Sequence, residues 1–499
     1  MTTTYAIDTP ERENAQDRAP DRAPHAAAVT APGQAAASAK ALYFSLLDNP
    51  AASVDAAQAF LLTQLEAARQ EPCDLPEALW QLPAWIQGRA EAVGIAYREY
   101  LGARKNGAPR RYFGSKSHAL YFLKGAAPTK LVDGAWLYGT LPRWENPDFY
   151  PLIKTYLEEL GDGVPDKNHV TLYRRLLAAH GCEHWEGLSE PHFVQGAIQL
   201  ALAWNAEQFL PEVIGYNLGY EQLPLHLLIT SYELNELGID PYYFTLHVTV
   251  DNAGSGHAHK AVQALRNLMA QSGDPAAFFQ RVLDGYRLNE LGACTTSIIA
   301  AFDLEAELVE IFTAKAAVGR NMHSDYCRVA GRSINDWLGE PAQIPAFLAA
   351  MESAGWIQRG QDVEHSRFWR LIQGERAEMF GVFSSYEQQV LRDWIVTPRD
   401  SDASSRTTRV LSHRARQRTL DTLNQHAGRS GYPERGLIRR HAAGALAGDI
   451  ELRELEEKVA GAAGKSEAMA MLAGLMTPSV HHTAIGLMAT RLYSQLLDA

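Results

Sequence analysis

His247 and Asp251 stand four residues apart in YYFTLHVTVDN. On a helix that spacing projects both side chains from one face. Imidazole plus carboxylate is a ligand set that suits a redox iron or manganese ion. An isolated HxxxD recurs by chance, so its neighbours must carry the reading. His257 follows His247 by ten residues, close to three helical turns. Glu212 sits in an apolar run, FLPEVIG, and a carboxylate there needs a partner to offset its desolvation. Glu159 and His169 bracket the turn LGDGVPDKN. Three carboxylates and three imidazoles are thus spread over segments of helical character. Helical bundles build dinuclear iron sites from inward-pointing carboxylates and histidines. On spacing alone, a set of capping and surface residues that never converge is an equal reading.

Aromatic residues flank the same positions. Tyr216 and Tyr220 lie downstream of Glu212, and Tyr242, Tyr243 and Phe244 lie one turn before His247. Tyr216, Tyr220 and Tyr243 are candidates to line a substrate cavity, with core packing as the plainer role. Arg320, Arg328 and Arg332 recur at helical spacing, either as a fork for a carboxylate or as a solvated basic face. Other motifs carry less. GAAGKS at 461–466 resembles a phosphate loop, but Val459 stands where the first glycine is required. His180, Cys182 and His184 alternate, so a helix would not gather all three.

These residues must be positioned by helices. Apolar residues recur at three- and four-residue spacing from about residue 36 onward. PDFYPLIKTYLEELG predicts a helix stopped at Gly161, and LPLHLLITSYELNELG one closed by Gly238. Pro211 predicts a kink or restart in the segment before Glu212. Further helices are expected over 275–292, 302–318, 341–354 and 385–396, and 107–150 reads as a short strand or loops. The expected division is a disordered tail (1–35), a main domain (36–396), a linker (397–408) and a helical C-terminal region (409–499). That last region is either packed on the core or used for a homodimer contact. The fold class is all-α.

Composition bounds the rest. The chain has 499 residues, 46% of them apolar and 21% charged, near globular averages. Its net charge of −12 argues against a mainly nucleic-acid-binding protein. Four scattered cysteines with no CxxC argue against a disulfide framework and suit a reducing compartment. No apolar run is long enough for a membrane span and no apolar signal core opens the chain. The expected location is cytoplasmic, with neither membrane nor nucleic acid as partner.

The order and spacing of several elements resemble a known family. YLEELGDGVPDKNH is similar to the Glu-Glu-Tyr-Gly…His element of the haem-oxygenase-like diiron oxidases, or iron-containing redox enzymes. FLPEVIGYNLGYE and YYFTLHVTVDNAGSGHA resemble the family's third-ligand helix and its His-x3-Asp helix. MFGVFSSYEQQVLRDWI, at 379–395, resembles a stretch of longer members. The resemblance spans roughly 140–400.

It implies a haem-oxygenase-like helical bundle that binds no haem, with Glu159, His169, Glu212, His247 and Asp251 as ligands to two irons. The family places a final His three residues after the Asp, where this chain has Gly254. His257 is the substitute, with His259 behind it. Glu158 and Glu221 are the alternatives in register among the carboxylates. The resemblance further implies Fe(II) loading and O2 as co-substrate. The expected reaction is oxidation of a small amine or amino acid, by N-oxygenation or oxidative C–C cleavage, in a natural-product pathway. The rival expectations are a catalytically inactive helical scaffold with the same fold, and a manganese–iron pair in the same bundle.

Overall fold

The computed structural model describes residues 38–250, 256–374, 376–398 and 445–499. The expected N-terminal tail, most of the linker and residues 409–444 lie outside these. The architecture is all-α: helices follow one another along the chain, and the only strands among the described residues are Arg328–Val329 and Arg332–Ser333. That hairpin corrects the helical spacing read for Arg320, Arg328 and Arg332. Gly331, at φ +80°, turns the chain back between the last two.

Local chemistry accounts for the helix ends. The Tyr150–Glu159 helix stops at Leu160, followed by Gly161 with positive φ. Asn168 caps the His169–His180 helix by accepting from the Thr171 N–H. Around Pro211 the chain breaks into two helices, Val194–Asn205 and Leu210–Tyr220, and Gly238 follows the helix Leu225–Glu236. The stretch read as strand or loop instead holds the helix Lys116–Lys130, capped by Ser115, and a 3₁₀ helix over Ala135–Arg143. Ser115 serves there as a cap and Gly134, at φ +80°, as a turn.

Two large apolar cores organise the described residues, beside a small cluster of Val93, Leu225 and Ile229. One gathers helices Ala39–Asp48, Val54–Ala68, Tyr150–Glu159, Val194–Asn205, Leu210–Tyr220 and His257–Ala270. The described C-terminal residues join it through Leu455, Met469, Leu472, Met476, Ala489, Tyr493 and Leu497. The other gathers Lys116–Lys130, His169–His180, Tyr242–Val250 and the helices from Thr295–Ala300 to Ser385–Val396. No described helix is long and apolar enough to cross a membrane.

Candidate metal centre

The acidic and imidazole side chains meet where the two cores abut. Tyr150–Glu159 delivers Glu159 from its last turn, and His169 opens the next helix. Tyr242–Val250 delivers His247, and His257 opens the helix His257–Ala270. Asp133 sits in the turn after Lys116–Lys130. Its neighbour Gly134, at φ +80°, lies so close to Glu159 that an added Cβ would come within 2.7 Å of the Glu159 Cβ. That close approach requires glycine.

Two donor groups result. Asp133, Glu159, His169 and His247 bring one ligand atom each to within 4.8 Å of one another, and all four are buried. Glu159, Glu221 and His257 form a second group by the same measure. Glu159 belongs to both. Its Oε2 contacts Nδ1 of His169, and its Oε1 lies 3.2 Å from Nδ1 of His257. Asp133 Oδ2 lies 3.3 Å from Nε2 of His247 and 3.7 Å from Nδ1 of His169.

Neighbouring groups orient these donors. His247 Nδ1 lies 2.8 Å from the Tyr243 carbonyl, which orients the ring so that Nε2 faces Asp133. His257 turns Nδ1 to Glu221 Oε2 at 2.9 Å and Nε2 to Glu158 Oε2 at 2.7 Å. Lys260 pairs with the other Glu158 oxygen. A carboxylate behind a histidine is a common way to set a ligand's tautomer. The hydroxyls of Tyr220 and Tyr243 donate to Asp133 Oδ1 and Oδ2 at 2.7 and 2.5 Å. Lys130 Nζ donates to Tyr220 at 2.8 Å.

Electrostatics keep the carboxylates ionised. Burial would raise the Asp133 carboxyl, but Lys130 and His247 outweigh it and hold it below the ordinary carboxylate range. Burial opposes ionisation of Glu159 too, and His169 and His257 more than compensate. The Tyr220 and Tyr243 hydroxyls are pushed up by burial and by the Asp133 charge, so they stay protonated as donors.

The donor set fits iron. Buried carboxylates and imidazoles suit a redox iron or manganese ion. His169 is 1% exposed, yet neither ring nitrogen makes an aligned hydrogen bond among the described residues. Buried polar atoms are rarely left so, and a cation between His169 and the two carboxylates would satisfy Nδ1.

Four of the six residues expected from sequence meet here: Glu159, His169, His247 and His257. Asp251 lies outside the described residues. Glu212 is placed elsewhere, with its carboxylate taken by Arg281, whose Nε lies 2.6 Å from Oε1. The helix explains this. Glu212 and Glu221 are nine residues apart, or two and a half turns, so they leave on opposite sides. The Glu212 side is packed against Pro275–Arg287, where a Cβ on Gly285 would lie 2.5 Å from the Glu212 Cα.

Asp133 was missed by the sequence reading. The signal was available, because LVDGAWL is as apolar around its carboxylate as FLPEVIG is around Glu212. Of the candidate substrate tyrosines, Tyr220 and Tyr243 spend their hydroxyls on Asp133. Tyr216 lies further back and donates to Gln195 Oε1 at 2.8 Å.

No curated protein and no solved structure matches the chain. Residues 120–290 match the model of a family described as iron-containing redox enzymes. That span contains every donor named above, and the all-α fold is the haem-oxygenase-like one the resemblance implied. Over residues 120–290, the chain is similar to the iron-containing redox enzyme family.

Proposed function

We propose that this chain is a cytoplasmic non-haem iron oxidoreductase. It holds two iron ions and uses O2 to oxidise a small amine or amino acid, by N-oxygenation or oxidative C–C cleavage, as a step in natural-product formation. The observation that carries the reading is Glu159, which turns one oxygen to each of two buried donor groups. A carboxylate so placed suits a bridge between two cations. Asp133, His169 and His247 would complete one site, and Glu221 and His257 the other. Bound iron supplies the electrons and open positions for O2 chemistry.

The protein's own part is to hold the donors. Tyr220 and Tyr243 fix Asp133 from both oxygens, and Glu158 fixes His257. Tyr173 packs on Tyr243 with ring centroids 4.7 Å apart, and these two buried rings stand on the Asp133 side of the donors. The substrate class rests on the family resemblance. The cytoplasmic assignment rests on four cysteines without disulfides, which suit a reducing compartment.

The test is anaerobic Fe(II) titration, then O2 with a panel of small amines and amino acids, read by product mass. Two irons per chain and an O2-dependent product are expected. Less than one iron per chain with no O2 consumption would leave the scaffold reading in its place. Elemental analysis of the purified protein separates a manganese–iron pair from two irons.

A further inference from the structure

The helices Ala445–Ala460, Lys465–Gly474 and Ala484–Asp498 lie outside the family match. They return to the segment that carries Glu159 and His169. Met476 O accepts from the Tyr156 hydroxyl at 2.6 Å, and His482 O accepts from Thr171 Oγ1 at 3.3 Å. Gly163, in the turn between the two donor helices, has φ +74°, and a Cβ there would lie 2.2 Å from the Leu487 carbonyl oxygen.

Asn168 is the pivot. Its Oδ1 accepts from the Thr171 N–H at 2.9 Å and so caps the helix that begins with His169. Its Nδ2 donates to the Leu160 carbonyl at 3.2 Å, one residue past Glu159. One amide therefore ties the end of one donor helix to the start of the other. A primary amide has two N–H donors. The second goes to Nδ1 of His481, 3.1 Å away on a ring 1% exposed. Rotating the amide would point N–H groups at the Thr171 N–H, so Asn168 keeps Nδ2 toward His481, and Nδ1 of that ring is the acceptor.

We propose that the C-terminal helical segment completes the candidate metal centre, with His481 as a positioning residue that acts through Asn168 on the spacing of Glu159 and His169. The inference rests on the reading of those two residues as metal donors. His481 touches no donor itself. Burial lowers its pKa to about 3, so the ring is neutral at working pH and one of its nitrogens is free to accept.

The test uses the full chain and Co(II), whose ligand-field absorption reports the donor set. His481→Asn places an amide oxygen where Nδ1 stands, whereas His481→Gln moves the acceptor one bond further out. Wild type and H481N should bind Co(II) alike. H481Q should bind roughly tenfold more weakly with an altered spectrum and unchanged helical content, as for outer partners of metal ligands. Wild-type affinity and spectrum in a folded H481Q would overturn the proposal.

A second measurement needs no variant. Coupling between sites is reciprocal, so Co(II) loading of the wild type should slow amide hydrogen exchange across residues 477–487. Unchanged exchange there in the loaded protein would overturn the proposal as well. Failure of the wild type to bind Co(II) at all would remove the metal reading on which it rests.

Discussion

Oε1 of Glu159 lies 3.2 Å from Nδ1 of His257, and this contact joins two donor groups that would otherwise be separate. The other Glu159 oxygen is committed to His169. Loss of metal on substitution should therefore be nested. Asp133→Asn and Glu221→Gln should each retain one metal ion per chain. Glu159→Gln should weaken both sites by more than about 100-fold, beyond the range typical for an outer partner. Metal analysis after equilibrium dialysis checks this. Retention of one tightly held ion in Glu159→Gln would show that the two groups do not share a bridge.

Glu212 gives the contrasting case. Its carboxylate is 4% exposed and held by Arg281. Burial raises its pKa, and Arg281 offsets that only in part. Glu212→Gln should leave metal stoichiometry unchanged and cost about 1–3 kcal/mol of stability through the weakened charged hydrogen bonds. Thermal unfolding and metal analysis of one preparation decide it. A lost metal ion with unchanged melting would reinstate Glu212 as a donor.

The contrast between Glu212 and Glu221 shows what the sequence could and could not convey. Helix existence was legible because apolar spacing and stop signals such as Gly161 and Gly238 act locally. That a buried carboxylate needs a partner was legible too. Which partner was not: Arg281 is 69 residues from Glu212, and nothing local separates an arginine from a metal as the compensating charge. Half a helical turn of phase decided between the two glutamates, and phase is set by packing against Pro275–Arg287. Asp133 escaped for a different reason. It lies in a turn, where periodicity gives no face to assign. The contribution of His481 was hidden because its effect on His169 passes through Asn168, more than 300 residues away in sequence.

Tyr220 and Tyr243 separate two roles. As holders of Asp133, each donates to a buried charge, a bond worth about 1.5–3 kcal/mol. Tyr243→Phe should destabilise the metal-free protein by that amount and weaken metal binding about tenfold. As substrate contacts, they would change KM and leave metal affinity alone. Co(II) titration of Tyr220→Phe and Tyr243→Phe, beside thermal melts, tells the roles apart. Unchanged affinity in both variants would return them to the substrate cavity.

Acid should loosen the protein through His481 before Asp133 and Glu159 are protonated in the fold. In the unfolded chain this ring titrates near 6.5, while burial lowers its folded pKa to about 3. Between those values the unfolded state binds the extra proton. Stability from this ring is therefore complete above the unfolded pKa and is lost as pH falls toward the folded one. The slope approaches about 1.4 kcal/mol per pH unit from roughly pH 5.5 to 4. Asp133 and Glu159 have depressed pKa values, so their contributions are lost only at lower pH. His482, held at about 4 by burial, adds a similar dependence that H481N does not remove. Denaturant unfolding of metal-free wild type and H481N across this window should show a shallower decline in the variant. Parallel curves would mean that His481 is protonated in the folded protein, and an imidazolium Nδ1–H could not accept from Asn168.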